Sequence, residues 1–246
     1  METNKENYKE ALKVDQETSA KYYNSSLQRK TEQQKLLESL LQARGLKPQA
    51  IADIACGGGG STYHLAGLYP NASYSLVDLN EDAIALARQA TSQLNAKCLV
   101  GDIYNLELED NSFDLVICWQ TLSWIEDAER AVRELVRICK PGALIYASSL
   151  FNVDHDVDVY SKVEDHTRPS AARGLRYVYN TYSQTTVRRW VENLVTALRI
   201  HKFEIPIDLP PSGRGLGTYT AKVEGGPRLQ LSAGMLLNWG ILELQK

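Results

Sequence analysis

The chain has no excess of positive charge: 27 lysines and arginines are set against 30 aspartates and glutamates, for a formal net charge of −3. A nucleic-acid binder normally carries a basic excess or patch. The Arg188-Arg189 pair is too small to supply one, so no nucleic-acid partner is expected. No apolar run approaches the ~20 residues that span a bilayer, and no membrane partner is expected. The polar start, Met1 to Asn7, does not read as a signal peptide. The 4 cysteines, Cys56, Cys98, Cys118 and Cys139, are scattered without metal-ligand spacing. They read as buried thiols in a reducing cytoplasm, the expected location. Internal repeats and low-complexity tracts are also missing. What remains is 246 residues, 43% hydrophobic and 23% charged, enough for one sizeable α/β core.

The informative segment is Ile51-Ala-Asp-Ile-Ala-Cys-Gly-Gly-Gly-Gly-Ser-Thr62. A short apolar run reaches Asp53, enters a glycine loop and continues into a helix-like stretch from Ser61 to Leu68. Strand, glycine turn and helix in this order make a nucleotide crevice at the carboxyl edge of a parallel sheet. A dinucleotide site wants G-x-G-x-x-G. Gly57 and Gly59 fit that pattern, but Thr62 stands in place of the third glycine. Asp53 discriminates further, because a carboxylate at the strand mouth repels pyrophosphate and attracts a cationic, phosphate-free ligand such as S-adenosylmethionine.

Later segments agree. Tyr74 to Asp78 reads as a second strand ending in an acid, about 20 residues past the glycines, where a carboxylate grips ribose hydroxyls. Leu79 follows and packs on adenine in this reading. Cys98 to Asp102 is a third strand, with Asp102 placed to accept from the adenine amine and Ile103 to cover the ring. Phe113 to Trp119 is a fourth strand, and Lys140 to Tyr146 turns into a fifth.

Over residues 50 to 150 these motifs resemble those of the class I S-adenosylmethionine-dependent methyltransferases. The resemblance implies a doubly wound, Rossmann-like α/β fold: a mainly parallel seven-stranded sheet with an antiparallel edge strand. It implies S-adenosylmethionine as cofactor and S-adenosylhomocysteine as product. Asp53, Gly57 and Gly59 match the motif that holds the methionine moiety, with Ala55 where glycine is commoner. Asp78 and Leu79, then Asp102 and Ile103, match the ribose and adenine positions. Cys118 and Trp119 match the fourth-strand exit, where backbone carbonyls meet the ligand's ammonium.

The chain reads as a single domain, residues 1–246. Residues 1–47 are a helical lid, 48–150 the cofactor-binding core, 151–182 an acceptor-side loop, and 183–246 a C-terminal helix and a β-rich extension. The Leu36, Leu37, Leu40, Leu41 stripe marks a lid helix stopped at Gly45. Tyr22 is the candidate cofactor contact of this lid and Tyr23 a candidate substrate contact. Gln120, Trp124, Arg176 and Tyr179 are the further substrate candidates, for a polar small-molecule acceptor. His155 and His166 are the candidate general bases, since imidazole titrates near neutrality. Asp154-His155-Asp156 is not expected to hold a metal, because consecutive loop residues chelate poorly without distant partners.

Asn80 is expected to cap a helix running to about Ser92, and Glu126 to Cys139 forms another. Ser183 to Leu198 forms the last core helix. Ile200 to Leu209 and Gly217 to Val223 are expected to pair as the antiparallel edge, and Lys222 to Leu231 to form one more hairpin. The expected activity is methyl transfer to O or N of a natural-product or sugar-like metabolite. A protein acceptor and a non-catalytic cofactor-binding module stay open, as does a homodimer.

Overall fold

The computed structural model describes residues 23–165, 175–210, 218–226, 228–232, 235–236 and 238–246. In chain order the helices are α1 Glu32–Arg44, α2 Gly60–Leu65, α3 Glu81–Ala90, α4 Ala128–Ile138 and α5 Gln184–Trp190. The strands are β1 Ala50–Ile54, β2 Ser73–Asp78, β3 Ala96–Val100, β4 Phe113–Trp119, β5 Cys139–Asn152, β6 Lys162–Asp165, β7 Leu175–Val178, β8 Tyr182–Ser183, β9 Ala197–Phe203, β10 Thr218–Lys222, β11 Arg228–Ser232, β12 Met235–Leu236 and β13 Asn238–Gln245. No helix among the described residues is long and apolar enough to cross a membrane.

The central sheet has 8 strands in the order β3-β2-β1-β4-β5-β13-β9, with β8 paired to the end of β5. The β1, β2, β3, β4 and β5 pairings are parallel. β1 and β4 carry nearly unbroken buried runs, as strands covered on both faces must. One face carries α4 and α5 residues, including Ala131, Leu135, Ile138, Val187 and Trp190. The other packs Leu37 and Leu41 of α1, Leu65 of α2, and Ile84 and Ala87 of α3.

Local signals set several helix ends. Thr31 and Gln34 form a reciprocal capping box at α1, which stops at Gly45 in the left-handed conformation (φ 60°). Asn80 caps α3 and Asp127 caps α4 through their side chains. The last helix is shorter than expected. Ser183 caps it, but it stops at Trp190; Asn193 takes φ 61°, and β-branched Val195 and Thr196 lead into β9.

The expected antiparallel edge differs. β9 pairs with β13, not with Gly217 to Val223, and β13 is inserted antiparallel between β5 and β9. Consecutive residues Ile241 and Leu242, then Leu244, are buried, so β13 presents apolar groups to both faces and belongs inside the sheet. β10 and β11 instead form the expected hairpin in a separate sheet with β12. α1 also departs from a lid: its Leu37 and Leu41 seat it along a sheet face. Among the described residues that precede β1, its first turn and the helical residues 23–28 reach the carboxyl edge through Gln33 and Tyr23.

Candidate active site

β1 delivers Asp53 to the carboxyl edge, 1% exposed. Its Oδ2 accepts a 2.7 Å hydrogen bond from Thr62 Oγ1 in α2. The residue that breaks the dinucleotide pattern is therefore the partner of the acid. Asp53 Oδ1 is buried and unpaired. Burial pushes the carboxyl up to about 7, against the opposing pull of the Thr62 bonds. A buried oxygen in this condition is costly unless a donor reaches it.

The glycine loop follows. Ala55 sits at φ 57°, and Gly57 and Gly59 at 52° and 79°. Part of the protein itself lies close against this loop. A Cβ on Gly57 would stand 2.7 Å from Tyr23 Cε1, and one on Gly58 2.8 Å from Tyr23 Cβ. One on Gly59 would press on Ala87 of α3 at 3.3 Å, so this glycine serves helix packing. Tyr23 thus lies on the loop, and Ser26 O anchors the same turn to His64 Nε2 at 2.7 Å.

Asp78 ends β2 and clamps the loop: its Oδ2 accepts from Gly57 N–H at 2.8 Å and its Oδ1 from Asn80 N–H at 2.9 Å. Burial raises its carboxyl, and these backbone bonds oppose the rise. Asp102 follows β3 and accepts from Tyr104 N–H at 3.1 Å. Leu79 and Ile103 are half-buried beside these acids. The sheet order β3-β2-β1 sets Asp102, Asp78 and Asp53 in a row along one edge.

At the exit of β4, Cys118 is fully buried and its thiol is pushed up to about 12, largely by burial, so it stays protonated. Trp119 is half-buried, with an unpaired buried Nε1. Gln120 takes φ 54°, and its N–H donates to Ser148 O at 2.8 Å. Its Nε2 donates to Gln33 Oε1 at 2.9 Å, which also accepts from Ser148 Oγ at 2.9 Å. Sequence reasoning missed Gln33, although Gln33, Leu37 and Leu41 recur every four residues on one helix face.

A short 3-10 helix, Leu122–Trp124, then turns back over the edge. The Trp124 and Tyr179 rings lie 4.4 Å apart, centroid to centroid, tilted by 52° and packed with Leu150 and Val163. Ser123 Oγ and Ser149 Oγ bond at 2.7 Å beneath them. Two substrate candidates from distant parts of the chain thus form one wall. Arg176 lies in β7, opposite Glu164 of β6.

The acidic loop has a structural use. Asp156 accepts from Thr185 Oγ1 at 2.7 Å, and Asp158 from Thr186 Oγ1 and Ser183 N–H, each at 2.6 Å. Asp154 pairs with Lys202. These acids tie the loop to the start of α5 and to β9. His155 is exposed among them, so the structure provides no enclosed place for it as a base. Tyr22 and His166 lie outside the described residues.

A family described as "Methyltransferase domain" matches residues 52–147, the span from β1 to β5 that contains the glycine loop, Asp78, Asp102 and Trp119. This stretch is a methyltransferase domain, similar to those of the class I S-adenosylmethionine-dependent methyltransferases. The chain is 37% identical over 117 residues to malonyl-[acyl-carrier protein] O-methyltransferase of Geobacter sulfurreducens, covering 46% of this chain and 42% of that one. It is 32% identical over 102 residues to norajmaline N-methyltransferase of Rauvolfia serpentina, covering 40% and 35%. It therefore spans less than half the length of these two curated relatives. The fold superposes on the PH0226 protein of Pyrococcus horikoshii with TM-score 0.52 and 19% identity, covering 86% of this chain and 88% of that one.

The residues of this domain suit S-adenosylmethionine, the cofactor of the methyltransferases it resembles. The unpaired Asp53 oxygen suits an ammonium or sulfonium, and the row of acids disfavours a pyrophosphate.

Proposed function

We propose that this methyltransferase transfers the methyl group of S-adenosylmethionine to an oxygen or nitrogen of a small-molecule acceptor. The observation that carries the reading is the row of acids at the mouths of three neighbouring strands, with Asp53 buried and half-paired. Bound there, the sulfonium supplies an electrophilic methyl carbon, so the hard chemistry belongs to the cofactor.

The chain's contribution is position. Asp53 and the Gly57 loop would hold the methionine portion, Asp78 the ribose hydroxyls, and Asp102 with Ile103 the adenine. Leu79 would pack beside the ring, and Tyr23 would close the glycine loop from above. Trp124 and Tyr179 would wall the acceptor, Gln120 would orient it, and the β6-β7 hairpin carrying Arg176 would border the pocket. Near-attack alignment of this kind is worth up to ~7–11 kcal/mol. An acceptor that arrives deprotonated needs no base, which accords with the exposure of His155.

The relatives' names, an O-methyltransferase and an N-methyltransferase, support either acceptor atom and a small-molecule class. The aromatic wall favours an acceptor with a flat or apolar face. The test is incubation of the chain and S-adenosylmethionine with fractionated metabolite pools, read by mass spectrometry. A cofactor-dependent gain of one methyl group on a small molecule is expected. Methylation of polypeptides alone, or cofactor binding with no acceptor in any pool, overturns the reading.

A further inference from the structure

Asp53 Oδ1 is not the only polar atom at this edge left without a partner. Trp119 ends β4, and its ring packs against the cluster that contains Leu37, Leu41, Ile117 and Tyr146. Its Nε1 is buried and makes no hydrogen bond. A buried donor left unpaired bears its full desolvation cost, whereas phenylalanine would pack there without one.

The position of this donor gives it meaning. Asp53 stands opposite Ile117 in the β1-β4 register, and Trp119 lies two residues beyond Ile117. Alternation along a strand puts Ile117 and Trp119 on one face. Ile51 and Ile117 share a core cluster, which sets Asp53, two residues after Ile51, on that same face. Neighbouring strands therefore present an unpaired acceptor and an unpaired donor at the same end of the row, away from Asp102 on the far side of β2. An α-amino acid group is the complement of that pair, since its ammonium donates and its carboxylate accepts. A ribose or an adenine carries no such charge-separated set.

Resting on the proposed cofactor, we infer that Trp119 Nε1–H is the donor to the carboxylate of the ligand's methionine portion, with Asp53 Oδ1 receiving the ammonium. The indole side chain, not only the backbone carbonyl of this residue, then selects ligands that carry an intact amino-acid tail. Trp119 is a binding residue in this assignment and takes no part in proton transfer.

Calorimetry on the full chain tests it with two ligands. S-adenosylhomocysteine has the tail; 5′-methylthioadenosine has the same nucleoside and a thioether but no tail. Trp119→Phe keeps an aromatic ring, smaller than indole, and removes the donor. S-adenosylhomocysteine should bind about tenfold more weakly to the variant, in line with losing a hydrogen bond to a charged group. 5′-Methylthioadenosine should bind both proteins within about twofold. The difference in tryptophan emission between wild type and variant should change on adding S-adenosylhomocysteine. A thermal melt confirms that the variant is folded; should it not be, Trp119→Leu, which also lacks a donor, takes its place in the same comparison.

Equal affinity of both proteins for S-adenosylhomocysteine overturns this inference alone. Equal weakening toward both ligands overturns it as well, because the ring would then act by packing. Failure of the wild-type chain to bind S-adenosylhomocysteine at all removes the proposed function and this inference together.

Discussion

Gln33 Oε1 and Gln120 Nε2 are hydrogen-bonded at 2.9 Å across 87 residues of sequence. The bond joins the first turn of α1 to the residue that leaves β4, and Ser148 Oγ of β5 completes it. Gln120 holds a left-handed backbone conformation that a non-glycine residue adopts at some cost. The amide of Gln33 is part of what keeps it there.

Replacing Gln33 with leucine preserves the apolar stripe with Leu37 and Leu41 but leaves the Gln120 and Ser148 groups without their acceptor. A stability loss of about 1–3 kcal/mol is expected. Urea denaturation measures it. A midpoint unchanged from wild type would show that the network holds nothing.

Ala55 occupies a left-handed conformation at φ 57° in the loop. A Cβ there costs roughly 1–2 kcal/mol, and glycine removes it while adding freedom to the unfolded chain. Ala55→Gly should therefore stabilise the protein by up to about 1 kcal/mol. The readout is a rise in melting temperature; a fall would mean that the methyl group's packing outweighs the backbone strain.

Asp53 gives a pH dependence with a definite sign. Its folded carboxyl is raised from 3.8 to about 7, chiefly by burial. The folded state then holds this proton more tightly than the unfolded chain does. Its contribution to stability is fully present below pH 4 and is lost as pH rises toward 7. Ligand affinity runs the other way, because the ionised form attracts a cation. Affinity for S-adenosylmethionine should increase between pH 6 and pH 8, and Asp53→Asn should flatten that rise. Thr62→Val, which removes the 2.7 Å bond to the carboxylate, should move the midpoint upward. Titration at several pH values decides it, and a flat wild-type profile is the adverse result.

Asp78 joins the loop to β2 through Gly57 N–H. Asp78→Ala removes that clamp and the proposed ribose contact, weakening cofactor binding by ~1.5–3 kcal/mol. Asp78→Asn keeps one acceptor oxygen and should lose less. Unchanged calorimetric affinity in the alanine variant would reject the ribose assignment.

Much of the site was legible because it is built from local signals. A strand ending in Asp53, a glycine loop, a strand ending in Asp78 with Asn80 as cap, and a strand leading to Asp102 each lie within a few residues of sequence. Turn chemistry and capping act at that range. Trp124 and Tyr179 stand out by residue type and placement near strand ends, but their ring contact does not follow from the sequence. Gln33 went unseen because a polar residue in an amphipathic helix reads as solvated unless its partners are known. The exposure of His155 is likewise set by the tertiary structure and not by residue type. Asp154, Asp156 and Asp158 bind the chain to itself, which only the positions of Lys202, Thr185 and Thr186 reveal.

By itself the sequence determined the strand-and-helix alternation, the stop of α1 at Gly45, the capped start of α3 at Asn80, and the acids at the ends of successive strands. These follow from periodicity and short-range hydrogen bonding. Only the tertiary structure decided that β13 enters the sheet between β5 and β9, that Tyr23 lies on the glycine loop, and that Asp53 is poised near neutrality. Strand order and desolvation depend on which distant surfaces pack together, and no local pattern encodes that choice.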